Sequence, residues 1–370
     1  MSILSDKAAT ENFSTPLPEK VTALTTLVGP LSLSTCFFPR TLYCVKFKLM
    51  KLLVIVGPTG TGKTALGLEL AKKFNGEIVS ADSRQVYIGM DIGTGKIDLR
   101  SKILDVRKER NKWVVSEIPI HLYDVITPDK TFSVAEYQQL AYKAIDEIHK
   151  KGKLPILVGG TGLYVQAIIE GLKIPKAPPD KNLRTHLESQ PLPTLIAKLE
   201  EVDPETAGRI DKQNPRRIIR ALEVYYQTGE PISKLKGKFK VSFDILQIGL
   251  TADREFLYDK VDKRVEDWFK EDFVEEVKNL LAKGYSEDLP AMTSLGYRQV
   301  AMLIKGRISL VEAKQRIKWE THNYIRRQIT WFRKVQPDFW FDIGSSSYKR
   351  EIRKVVGEWL LDLSPAKKIE

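Results

Sequence analysis

The sequence predicts an α/β fold: a parallel sheet core that carries a helical insertion and a helical C-terminal part. Three observations lead there. Short apolar runs recur at residues 51–57, 76–82 and 154–164, each broken by glycine or a polar turn, as buried parallel strands are. Segments of helical period lie between them, and strand–helix–strand alternation implies right-handed crossovers within one sheet. After about residue 171 the pattern is helical almost throughout.

Taken in order, "KLLVIVG" (51–57) is the first strand, "KTALGLELAKKF" a helix, and "GEIVSAD" (76–82) the second strand. Residues 83–112 are polar and punctuated by glycine, so a loop is expected. Ser133 and Glu136 stand at capping-box spacing and open a helix. "LPILVGGTGLY" (154–164) is a further buried strand that breaks at glycines. "KIPKAPPDK" is a proline-rich hinge. From Asn182 to Gly229 the period is helical, with a start at Asp203-Pro204 and a stop at Gly229. "FDILQIGLT" (243–251) returns to a strand, and 253–336 reads as several helices.

The expected organisation is therefore a core over 50–171, a helical insertion over 172–240, a return to the core with a helical part over 241–345, and a C-terminal tail over 346–370. Residues 1–49 are rich in Ser, Thr and Pro and have no sustained period. They are expected to be a disordered extension or an upstream mis-assigned start, because "MKLLVIVGPTG" reads as a natural beginning. No secretory pattern is present, and Asp6, Glu11 and Glu19 weaken an organelle-targeting reading.

Charge narrows the partners. Fifty-nine Lys and Arg against 47 Asp and Glu leave a net +12, which suits a polyanion, nucleic acid before membrane, or a merely basic enzyme. The two cysteines, Cys36 and Cys44, make no disulfide framework or zinc cluster. No apolar run approaches the roughly 20 residues that span a bilayer.

The strongest motif is "GPTGTGKT", Gly57, Pro58, Thr59, Gly60, Thr61, Gly62, Lys63 and Thr64, set between a strand and a helix. This is a P-loop. Its glycines turn backbone N–H groups toward phosphate oxygens, and the helix N-terminus adds a favourable dipole. Lys63 neutralises phosphate charge, and Thr64 offers a hydroxyl to Mg²⁺. The core is thus expected to resemble the P-loop NTPases. Yet the strand "PILV" ends in Gly159-Gly160-Thr161-Gly162, with no acid to hold Mg²⁺ for nucleotide hydrolysis. The acid near the loop is Asp82, at the end of the second strand, where it serves as a base or caps the turn with Ser83. Thr161, at the end of the neighbouring strand, reaches the same crevice.

Two basic stretches follow. "QNPRRIIRALE" (213–223) brings Arg216, Arg217 and Arg220 within about two helical turns, as a phosphate clamp, an RNA contact or a solvated face. "THNYIRRQITWFRK" (321–334) interleaves Arg326, Arg327 and Arg333 with Tyr324, Trp331 and Phe332. Basic residues among aromatics suit phosphates and unpaired bases. Ile325, Ile329 and Phe332 recur at helical spacing, so the apolar residues are expected inward and the arginines outward.

Together with "SADSRQVYIGMDIGTGK" (80–96), "HLYDVITPDKTFSVAEY" (121–137), "PILVGGTGLY" (155–164), "DPETAGRI" (203–210), "LGYRQ" (295–299) and "RRQITWFRK" (326–334), these pieces make the chain resemble the tRNA dimethylallyltransferases from Met50 to about 340. The resemblance implies that the P-loop holds the diphosphate of dimethylallyl diphosphate, with Mg²⁺. The implied acceptor is the exocyclic amine of the adenosine 3′-adjacent to the anticodon. Asp82 is implied as the base, with Lys63 and Thr161 assisting. Asp82, Ser83, Arg84, Gln85 and Thr161, with Gln213, Asn214, Pro215, Arg216 and Arg217, are implied as tRNA contacts, and Arg217 also as a diphosphate ligand. A cytoplasmic monomer is expected. The rivals are an adenylate isopentenyltransferase, a P-loop small-molecule kinase and a non-catalytic RNA-binding protein.

Overall fold

The computed structural model describes residues 50–97, 104–270 and 272–363; the expectations for residues 1–49 lie outside them. As the sequence period predicts, β1 (Met50–Val56) is followed by α1 (Lys63–Lys73) and β2 (Gly76–Ser80). Both strands are buried along nearly their whole length, which is why they read as unbroken apolar runs.

The segment expected to be a loop ends differently. Val106–Glu109 forms β3, and Lys112–Val115 and Ile118–His121 form β4 and β5. These three pair antiparallel in succession, and β5 then runs parallel to β2. β3 is an edge strand that packs only Val106 against the core and leaves its other residues exposed, so "VRKE" carries no apolar alternation.

Next come α2 (Val134–Lys150), β6 (Leu154–Gly159) and α3 (Gly162–Ile169). The capping box forms: the Ser133 N–H donates to Glu136 Oε2 at 2.8 Å, and the Glu136 N–H donates to Ser133 Oγ at 3.2 Å. Two short strands, β7 (Leu172–Lys173) and β8 (Gly237–Lys238), pair antiparallel. Between them run α4 (Lys181–Glu188), α5 (Leu192–Val202), α6 (Pro204–Arg209), α7 (Pro215–Thr228) and α8 (Ile232–Leu235). These helices close on their own apolar cluster, including Leu187, Leu195, Leu199, Ile218 and Leu222. Buried Glu223 accepts two bonds from Arg184, at 2.8 and 2.9 Å, and one from Arg220 at 2.6 Å. Arg220 is therefore committed inside the insertion.

The chain returns through β9 (Phe243–Thr251), α9 (Arg254–Lys270), α10 (Phe273–Ala282), α11 (Tyr297–Ile304) and α12 (Leu310–Val335), and adds β10 (Phe339–Asp342) and α13 (Tyr348–Leu360). The sheet order is β10-β9-β1-β6-β2-β5-β4-β3, parallel through the first six strands and antiparallel through the last two. The parallel sheet of the sequence reading is thus extended by an antiparallel edge.

The expected C-terminal tail is also corrected. α13 lays Ile352, Val356 and Trp359 into the cluster under the sheet, and Arg353 and Lys349 reach Glu69 of α1 at 2.5 and 3.1 Å. Apolar residues at i, i+4 and i+7 dock a helix wherever a sheet face remains uncovered. Trp359→Ala is expected to destabilise the fold by about 3–5 kcal/mol, read as a lowered urea midpoint with the slope retained.

Candidate active site

β1, β6 and β2 are neighbours, and their register aligns Val56 with Gly159 and Val158 with Ser80. All three run parallel. The loops after them, carrying the P-loop, Thr161 and Asp82, therefore leave the sheet at one edge, where ligands bind in open α/β sheets. They line a cavity of about 360 Å³ that α9, α12 and the glycine loop Gly93–Gly95 enclose.

The P-loop has the backbone its glycines allow. Gly57, Gly60 and Gly62 have φ of 147°, 90° and 79°, and a Cβ on Gly57 would meet the Leu250 carbonyl oxygen at 2.4 Å. Thr61 is buried, and its hydroxyl donates to the Pro58 carbonyl at 2.8 Å. Lys63 Nζ donates to the same carbonyl at 2.9 Å. Burial pushes its ammonium down to about 8, with the charge of Asp82 opposing that shift and Arg264 adding to it. The Thr64 hydroxyl makes no hydrogen bond among the described residues.

Asp82 is half-buried in the pocket wall. Its Oδ1 accepts the Arg84 N–H at 2.8 Å, so it does cap its own turn. Burial still raises its carboxyl above the usual range, against the Arg84 amide and the charge of Lys63. Thr161 Oγ1 accepts the Ser83 N–H at 3.0 Å and lies 3.3 Å from Ser83 Oγ, tying the loops after β6 and β2 together. Tyr324 of α12 lines the pocket near the Thr161 side chain.

Two contributors were not legible as site residues. Gln328 is buried in α12; its Oε1 accepts the Thr59 N–H at 2.8 Å and its Nε2 donates to the Gly160 carbonyl at 2.9 Å. It clamps the P-loop to the loop after β6. Arg264 of α9 lines the pocket with no ion pair among the described residues, and burial lowers its pKa. The signal was available: Arg264 interrupts the apolar face Val261, Val265, Trp268 at helical spacing.

Other expected site residues are distributed differently. Arg84 lines the pocket while its guanidinium donates to the Pro290 carbonyl at 2.8 Å and to Thr293 Oγ1 at 3.2 Å. Gln85 is turned inward: it takes the Ser80 hydroxyl at 2.8 Å and gives to the Thr94 and Gly95 carbonyls, both at 3.3 Å. It braces the glycine wall. Asn214 caps α7 by accepting the Arg217 N–H at 3.3 Å, with Pro215 in the first turn and Gln213 exposed before it. Arg216 and Arg217 line a second cavity of about 890 Å³ bounded by α6, α7, β7 and β8. Arg217 thus faces the second cavity, and Arg264 stands in the first pocket alongside Arg84 and Arg327. Along α12, Ile325 and Phe332 are fully buried while Arg326, Arg327 and Arg333 are exposed, and Arg327 also borders the pocket.

A family model described as IPP transferase matches residues 85–335. A tRNA dimethylallyltransferase of Thermomicrobium roseum is 42% identical over 313 residues, covering 84% of this chain and 91% of that protein. One of Roseiflexus castenholzii is 46% identical over 291 residues, 78% of this chain and 91% of its own length. Among solved structures, a tRNA isopentenylpyrophosphate transferase from Bacillus halodurans superimposes with a TM-score of 0.61 at 37% identity, covering 85% of this chain and 97% of that one. A eukaryotic dimethylallyltransferase described as acting on tRNA gives a TM-score of 0.72 at 26% identity, covering 86% and 81%. Fold and site therefore define a P-loop-like α/β transferase. The chain belongs to the IPP transferase family.

Proposed function

We propose that this enzyme transfers the dimethylallyl group of dimethylallyl diphosphate to the exocyclic amine of the adenosine 3′-adjacent to the anticodon of tRNA. One observation carries the reading. Asp82, a carboxylate without an ion pair among the described residues, shares a pocket between the P-loop and α12 with the desolvated cation Arg264, and desolvated Lys63 lies close enough to feel the charge of both. That pairs a base with a leaving-group cradle. The N6–C1 bond forms as the C1–O bond breaks; the diphosphate leaves with the electron pair, and the amine proton goes to Asp82.

The allylic carbon develops positive charge as the diphosphate departs, so neutralising the diphosphate is the largest demand on the site. Lys63, Arg264 and the P-loop amides meet it. Mg²⁺ fits beside them: the Thr64 hydroxyl is uncommitted, and Mg²⁺ characteristically takes one or two protein oxygens with the remainder from phosphate and water. When bound, it adds charge neutralisation on the diphosphate. Thr161, oriented by Ser83, holds the Asp82 loop against the adenine. We infer a monomer and a cytoplasmic setting where tRNA is met. No described helix is long and apolar enough to cross a membrane.

The direct experiment supplies radiolabelled dimethylallyl diphosphate and an unmodified anticodon stem-loop. Label entering RNA only with the protein present supports the reading. Label entering free adenine nucleotide but not RNA overturns it in favour of an adenylate isopentenyltransferase. Turnover of a nucleoside triphosphate without RNA overturns it in favour of a kinase.

The exposed arginines of α12 give a second test. Replacing Arg326, Arg327 and Arg333 together by Ala is expected to weaken stem-loop binding and flatten its log-affinity slope against log-salt by roughly 2. An unchanged slope in a protein that melts like the parent removes this surface from RNA contact.

A further inference from the structure

The lining of the pocket is of two kinds. One is polar, built from Asp82, Thr161, Tyr324, Arg327 and Gln328. The other is carbon: Val261, Val265 and Trp268 of α9, with Leu295 before α11. Arg264 belongs to the same face of α9, one turn before Trp268, a rise of about 5.4–6 Å. A diphosphate held by Lys63 and Arg264 therefore lays its allylic tail along α9 toward Trp268.

The indole cannot yield easily. Trp268 is 7% exposed, and its ring lies 5.3 Å from that of Phe273, which meets Tyr297 edge-on at 5.2 Å. Gly93 closes the same layer: a Cβ there would stand 2.5 Å from the Tyr297 ring and 2.6 Å from the Phe273 ring. A wall packed to this density does not open for extra methylenes.

Resting on the dimethylallyl reading above, we propose that Trp268, with Val265 beside it, is the specificity-determining stop that limits the transferred group to one five-carbon unit. A ten-carbon allylic diphosphate presents the same C1 to the amine and the same leaving diphosphate. The bonds made and broken, and the proton passed to Asp82, are identical. Discrimination then comes only from whether the second unit has space. A hydrophobic pocket that merely prefers a tail distinguishes a methylene by roughly 10–200-fold, but a rigid wall excludes a whole isoprene unit sterically.

The experiment compares dimethylallyl and geranyl diphosphates, each with the anticodon stem-loop, in the parent, Trp268→Ala and Trp268→Leu. The parent is expected to favour the five-carbon donor by at least ~10²-fold in kcat/KM. In either variant the geranyl-to-dimethylallyl ratio is expected to rise at least ~10-fold, with mass spectrometry finding the ten-carbon adduct on adenosine. Trp268→Leu keeps an apolar side chain against Phe273 and carries the test where Trp268→Ala fails to melt cooperatively. A parent that uses both donors equally overturns the proposal. So does an unchanged ratio in a cooperatively folded variant that still transfers the five-carbon group. A parent that transfers neither group fails at the earlier step and removes the dimethylallyl reading itself.

Discussion

Asp82→Asn is expected to lower turnover by roughly 10² or more while leaving stem-loop affinity and melting close to those of the parent. The substitution is chosen for what it keeps. Asn retains the oxygen that accepts the Arg84 N–H at 2.8 Å, so the turn after β2 stays capped. What it lacks is a basic site for the amine proton. An adenine amine is a weak nucleophile, and a positioned general base contributes on the order of 10²–10⁴-fold. Because burial raises the Asp82 carboxyl, the acid limb of kcat/KM should lie above the ordinary carboxylate range. Activity rises with pH through that limb as the carboxylate forms, and the limb should vanish in Asp82→Asn. Near-normal turnover in the variant would take the base role from Asp82 and leave it as a turn cap.

Lys63→Ala is expected to lower kcat/KM for dimethylallyl diphosphate by about 10²–10³, the cost of removing one preorganised donor from developing negative charge. Its alkaline behaviour makes the test specific. Burial pushes the ammonium down to about 8, so in the free enzyme it is charged below that pH and neutral above it. The charged form binds the dianionic end of the donor. The parent should therefore lose kcat/KM as pH rises through about 8, whereas kcat, measured with diphosphate bound, should hold to higher pH. Lys63→Arg keeps a cation that does not titrate in this range and should abolish the limb near 8. A limb that persists in Lys63→Arg assigns it to another group.

How far the molecule was legible follows from how local each feature is. The cores of β1, β2, β6 and β9, the capping box of α2 and the C-terminal Gly229 of α7 depend on neighbours in sequence, and each could be read from a run, a spacing or a single residue. β3, β4 and β10 could not. An exposed edge strand and four-residue strands are defined by the strands beside them, and "VRKE" or "FWFD" alone carries too little period. α13 escaped for a related reason: its apolar stripe gains meaning only from the uncovered sheet face it docks on.

The site divides the same way. Sequence by itself determined the P-loop, because the glycines, Lys63 and Thr64 act through contiguous backbone. It also placed Asp82 and Thr161 at strand ends, because parallel strands send those ends to one edge. Only the tertiary structure decided which distant groups close the pocket. Arg264 stands more than 180 residues after Asp82, and Gln328 is 269 residues from the Thr59 amide it holds. It likewise decided that Gln85 turns inward, that Arg217 faces a different cavity, and that Trp268 lines the pocket. The physical reason is direction: sequence spacing gives the face of a helix on which a side chain lies, and only packing says what that face meets.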